Sequence, residues 1–194
     1  MKRFFIALLV TLMSVATFAQ TESPHLSFKG VPIDGTLNEY IQKMKQKGFD
    51  YIGQEGGLAV LTGDFAAYNG CTIGVSTLNQ KDLVSSIAVF FPYCSTWASL
   101  SNNYYSLKEM LTEKYGKPVD VIEEFQGNHE PTDDGSRMYA VKFDRCKYVT
   151  IFETPKGNIT LNIAHNGITD CFVSLVYLDK INGELVRAKA MDDL

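Results

Sequence analysis

The stretch TLNEYIQKMKQKGF, residues 36–49, reads as one complete helix with a start and a stop. Thr36 and Glu39 have the spacing of a capping box, in which the hydroxyl accepts from the Glu39 amide while the Glu39 carboxylate reaches back. Leu37, Tyr40, Ile41 and Met44 fall at i, i+3, i+4 and i+7, one apolar stripe. Lys43, Lys45 and Lys47 load the C-terminal end, where cations suit the helix dipole. Gly48 sits where a left-handed residue ends a helix, and Phe49 can then fold back onto Met44. The spacing predicts a helix over 36–47.

A second helix is predicted from about Thr96 to Tyr115. Trp97, Leu100, Tyr104, Leu107 and Leu111 step by 3, 4, 3 and 4, Ser95 or Thr96 can cap it, and Gly116 and Pro118 stop it. Between the helices, Leu58 to Thr62, Cys71 to Val75 and Val84 to Phe91 read as strands, with Asn69-Gly70 as a tight turn. Gly53 to Gly57 reads as a loose loop without the basic residue a phosphate site needs. After the second helix, strands are predicted over Val119–Phe125, Met138–Phe143, Tyr148–Phe152, Ile159–Ile163 and Phe172–Leu178. Residues 126–137, with Pro131, Asp133, Asp134 and Gly135, read as a long hairpin tip. The fold class is therefore α+β: two helix-then-antiparallel-strand repeats sharing a mainly antiparallel sheet, with the helices packed on one face.

A shift of 67 residues places Leu37, Tyr40 and Met44 on Tyr104, Leu107 and Leu111, and Lys47 on Lys114. Two repeats follow, about 25–94 and 95–180, with a short C-terminal tail. This order resembles the β-lactamase-inhibitor-protein-like fold and the related small outer-membrane assembly proteins, over about residues 25–180. The run Leu107 to Pro118 also resembles a helix end that recurs in exported bacterial proteins of this size. What the resemblance implies is architecture. No inhibitory residue of the family falls on a position here, and fold alone does not specify activity.

The N-terminus reads as an address. Lys2 and Arg3 precede an apolar run from Phe4 to Val15, and Thr17-Phe18-Ala19 has the small-residue pattern of a signal-peptidase site. Residues 1–19 are expected to be cleaved, leaving one α+β domain over 20–194, periplasmic or extracellular. The run is too short for a spanning helix, no cysteine follows the site to carry a lipid anchor, and no later run suits a membrane span. The hydrophobic fraction of 45% supplies a core. The net charge of −4 becomes −6 once Lys2 and Arg3 are removed, a poor basis for nucleic-acid binding, which needs clustered cations.

Cys71, Cys94, Cys146 and Cys171 are disulfide candidates in an oxidising compartment. Three connectivities exist. Local pairing, Cys71 with Cys94 and Cys146 with Cys171, is the expectation, each bridge stapling one repeat for about 3 kcal/mol in the chain-entropy model. Four buried thiols are the plainer reading. No close ligand pair suits zinc.

Catalytic motifs are absent from the sequence: no Gly-x-Ser-x-Gly, phosphate loop or dinucleotide fingerprint, and so no cofactor, metal or catalytic residue is assigned. His25 reads as part of a flexible arm and His165 as a surface strand end. Cys146, between Arg145 and Lys147, is the one thiol with electropositive neighbours. Tyr105 lies off the predicted stripe of the second helix and Tyr93 just follows a strand; both are candidate partner contacts. The functional expectation is a non-enzymatic exported binding protein that holds an unidentified protein or small ligand on an open sheet face. The alternatives are a hydrolase built on His129 with Glu130, Asp133 or Asp134, and a cell-envelope assembly or structural factor.

Overall fold

The computed structural model describes residues 23–78, 81–127 and 130–192. The expected signal segment, residues 1–19, lies outside them, as does His129. The chain runs β1 (Ser27–Phe28), β2 (Val31–Pro32), α1 (Leu37–Gln46), β3 (Asp50–Glu55), β4 (Leu58–Phe65), β5 (Tyr68–Thr77), β6 (Val84–Phe90), α2 (Trp97–Tyr115), β7 (Asp120–Phe125), α3 (Asp134–Lys142), β8 (Cys146–Thr154), β9 (Gly157–Asn166), β10 (Asp170–Asp179) and α4 (Lys180–Asp192). Strands β3 to β10 form one antiparallel sheet in the order β3-β4-β5-β6-β10-β9-β8-β7. Each half of the chain thus contributes a four-stranded meander, and the last strands of the two meanders, β6 and β10, pair at the centre. β1 and β2 make a separate small hairpin.

The two predicted helices form where the stripes and caps place them. Thr36 and Glu39 make both halves of the capping box. At the other end Gly48 takes a φ of 89°, and the Phe49 amide donates to the Met44 carbonyl. Thr96 caps α2 by accepting from the Ser99 amide. Leu37, Tyr40 and Met44 are buried, and so are Tyr104, Leu107 and Leu111.

Their apolar faces meet a single row system on the sheet. Leu61, Ile73, Val89, Leu175, Leu161 and Thr150 are successive cross-strand partners, and Ala59, Val75, Ile87, Tyr177, Ile159 and Phe152 form the next row. Both rows are buried. Thr150, the one polar member, is satisfied by a hydrogen bond of 2.5 Å with the Tyr104 hydroxyl, so the polar atom is carried inside only with its partner.

Several expectations are corrected. The expected strand Met138–Phe143 is helical as far as Lys142: α3 is capped by Asp133, whose carboxylate accepts from the Ser136 amide while the Ser136 hydroxyl accepts from the Asp133 amide, so the expected hairpin tip ends in a capping box. Gly53 lies in β3, and only Gly56 and Gly57 turn. Asn69-Gly70 lies within β5, because the reversal is made by Ala66 and Ala67 at φ of 50° and 66°. The expected C-terminal tail is α4.

His25 is pinned rather than flexible. Its Nδ1 lies 2.9 Å from Oδ2 of Asp179, a fully buried carboxylate whose Oδ1 accepts from the Leu26 amide at 2.7 Å. The Asn182 amide donates to Asp179 Oδ2 at 2.9 Å, and the Asn182 side chain donates to the carbonyls of Ile33 and Val84. This clasp ties the β1–β2 hairpin to the end of β10 and the start of α4.

Candidate functional site

Side chains alternate across a strand, so the residues between the buried rows point to the other face. There Thr62, Thr72, Phe90, Ser174, Asn162, Val149 and Ile122 are successive partners, and Val60, Gly74, Ala88, Val176, Thr160, Ile151 and Asp120 form a second row. Most of these are half-buried or exposed. Leu58, Phe90 and Leu178 on this face are 44%, 36% and 45% exposed. With Asp50 opposite Thr62 completing the first row, the ionisable residues across both rows are Asp50 and Asp120, at the two outer edges. A water-facing surface ordinarily carries interspersed Lys, Glu, Asp and Arg. Loss of charge from the centre of a face is instead the composition of an interface core.

One end of this face is hollowed. Gly70, Thr72, Phe90, Phe91, Pro92, Tyr93, Asn166 and Phe172 line an open groove of about 520 Å³, within the size range of small-ligand clefts. The pairing of β6 with β10 brings Phe90 and Phe172 into a T-shaped contact at 5.8 Å between ring centroids, and Tyr93 packs on Phe172 at 5.7 Å. Tyr93 is 64% exposed. The groove's polar side chains are the Thr72 hydroxyl, the Asn166 amide and the Tyr93 phenol, which offer hydrogen-bond donors and acceptors.

Of the two flagged tyrosines, Tyr93 is at the groove and Tyr105 is not. Tyr105 sits on α2 in a T-shaped contact with Tyr104 at 5.4 Å, with the Lys108 ammonium 6.0 Å from its ring. Phe90 and Phe172 were missed as site residues because they are distant in sequence and meet only through the strand register.

Asp133, Asp134 and His165 make structural contacts. Asp133 is the α3 cap, and its carboxyl is held below the usual range by the hydrogen bonds from Ser136. Asp134 Oδ1 accepts from the Ala98 amide at 3.0 Å. His165 is half-buried: Nε2 lies 3.0 Å from Asp144 Oδ1 and Nδ1 lies 2.8 Å from the Gly167 carbonyl oxygen, contacts that raise its pKa. Among the described residues no group of three His, Cys, Asp or Glu is placed to hold a metal.

All four cysteines are free thiols, so neither expected local bridge is present. The register explains why. Cys94 lies across an antiparallel bridge from Cys171 rather than beside Cys71, and β9 separates Cys146 on β8 from Cys171 on β10. Burial pushes the Cys146 thiol up to about 12, with Cys171 adding to the effect. It is therefore protonated and inert at neutral pH, whatever Arg145 and Lys147 contribute in sequence.

These features define an α+β protein with helices on one face of an eight-stranded antiparallel sheet and a second face whose centre is uncharged and which ends in an aromatic groove. Among the described residues no helix is long and apolar enough to cross a membrane. Compared with protein-family models, with curated proteins and with solved structures, the chain matches none of them.

Proposed function

We propose that this chain is an exported, non-enzymatic binding protein that docks a partner of neutral surface on the second face of its sheet. The observation that carries the reading is the uncharged centre of that face, ending at the groove of Phe90, Tyr93 and Phe172. Aromatic residues with a polar tip and a charge-depleted centre are what partner-binding surfaces use. Export rests on the segment 1–19. The recurrence of a helix followed by four strands, and the burial of Leu37 with Tyr104, Tyr40 with Leu107 and Met44 with Leu111, support an internal duplication of the kind found in the β-lactamase-inhibitor-protein-like fold.

The test places a charge where the face lacks one. Wild-type protein and the double variant Ala88→Glu, Tyr93→Ala are immobilised side by side and presented with the proteins of the same compartment. A partner should be retained by the wild type and lost from the variant, with the unfolding midpoint unchanged. If every partner retained by the wild type also stays on the variant, the face is not the docking surface.

A further inference from the structure

Cys94 and Cys171 stand directly opposite each other across the seam between the two halves of the chain. Their bridge is antiparallel, and the Cys94 amide donates to the Cys171 carbonyl at 2.8 Å. Directly opposed, hydrogen-bonded residues have Cα atoms about 5.5 Å apart, close to the commonest Cα separation of disulfides, about 5.5–6 Å. The other pairings lack this placement. Cys71 turns its sulfur toward the Tyr68 and Phe65 carbonyls at 3.7 and 4.0 Å, and its neighbour Thr72 pairs with Phe90, four residues before Cys94. Cys146 is two strands from Cys171, roughly 9–10 Å at the usual strand spacing, beyond the roughly 7 Å that a disulfide spans.

We infer that Cys94 and Cys171 are a redox pair that closes into a disulfide when the folded chain meets a small-molecule disulfide oxidant, while Cys71 and Cys146 remain thiols. Cys94 is the attacking sulfur. It is 8% exposed against 0% for Cys171; burial raises its pKa, and the Asn103 side-chain amide, donating to it at 3.3 Å, partly offsets that rise. The Cys94 thiolate attacks one sulfur of oxidised glutathione, forming a mixed disulfide and expelling glutathione thiolate. The Cys171 thiolate then attacks the Cys94 sulfur and expels the second glutathione. The two protein thiol protons end on the two glutathiones, and the oxidant takes both electrons.

The bond would sit immediately behind the groove. Tyr93 precedes Cys94 and Phe172 follows Cys171, and both line the cavity. Closing the pair fixes the two backbone segments that set the separation of those rings.

The purified protein is incubated with oxidised glutathione under native conditions, alkylated after unfolding without reductant, and mapped by mass spectrometry. Before alkylation the mass should fall by two hydrogens, and after it one cross-linked peptide pair should contain Cys94 and Cys171 while Cys71 and Cys146 carry the alkyl groups. Four alkylated cysteines, a stable glutathione adduct, or a bridge involving Cys71 or Cys146 overturns the inference. The Cys71→Ser, Cys146→Ser variant should lose the same two hydrogens, and a variant of that pair that keeps its full mass overturns the inference equally.

Discussion

Replacing Asp179 by alanine tests the clasp that ties the hairpin to the C-terminal helix. The carboxylate is fully buried and accepts from two backbone amides, Leu26 at 2.7 Å and Asn182 at 2.9 Å, while facing His25 at 2.9 Å. Alanine leaves both amides without an acceptor in a site water does not reach. Each such orphan costs about 1–3 kcal/mol, and loss of the His25 contact adds to it. A total of roughly 3–5 kcal/mol follows, a large share of a domain stability of about 5–15 kcal/mol. Asp179→Asn keeps one acceptor oxygen and turns its amide group toward a donor, so it should cost roughly half as much. Urea unfolding followed by circular dichroism measures both, with the midpoint falling and the slope preserved. Hydrogen exchange should show faster exchange at the Leu26 and Asn182 amides. If Asp179→Ala costs less than about 1 kcal/mol and both amides stay protected, the clasp does not hold the termini and the reasoning fails.

Three more perturbations probe other parts of the fold. Gly157 has a φ of 151°, and a Cβ there would lie 2.1 Å from the Leu178 carbonyl oxygen, so Gly157→Ala should destabilise by about 2 kcal/mol or more in the same urea experiment. The Tyr40 hydroxyl is buried without a hydrogen-bond partner among the described residues, and burial raises its pKa; Tyr40→Phe should therefore leave stability unchanged or raise it by up to about 1 kcal/mol, and a loss beyond that range would reveal a partner for the oxygen. The raised pKa of His165, caused first by the Asp144 hydrogen bond, adds stability that is present below the unfolded value of about 6.5 and lost as pH rises through the folded value. Asp144→Asn should lower the His165 pKa in an NMR titration and weaken the protein at pH 5.5 but not at pH 8.5, by less than about 1 kcal/mol given the exposure of Asp144.

Local signals were legible where one element contains its own reason. Thr36, Glu39 and Gly48 specify the ends of α1 within fourteen consecutive positions, and the strand meanders carry enough β-branched and aromatic residues to be seen. α3 was not legible because Met138 to Phe143 is an apolar run of ambiguous period, and its cap, Asp133 with Ser136, hides in a stretch rich in Asp, Gly and Pro. β3 was missed because it is an edge strand with no buried residue to give it a pattern. His25 looked free because its partner, Asp179, lies at the far end of the chain. The groove had the same fate: Tyr93 could be flagged, while Phe90 and Phe172 gained meaning only from the pairing of β6 with β10. Cysteine pairing failed for that reason too, since proximity in sequence favoured bridges within each half.

The placement of β10 at the centre of the sheet has a cost in time. A nascent chain that has made everything up to Asn166 still holds two unfinished ribbons, each ending in a raw strand edge. One of those edges is Val84–Phe90, VSSIAVF, a segment without charge or proline, the composition that self-associates when left unpaired. Only the last strand zips the ribbons together, and it does so through contacts far apart along the chain, which form slowly. Synthesis of this protein therefore carries a window of stickiness that closes only near its end, and truncation before Leu178 should yield aggregates rather than a smaller soluble fragment.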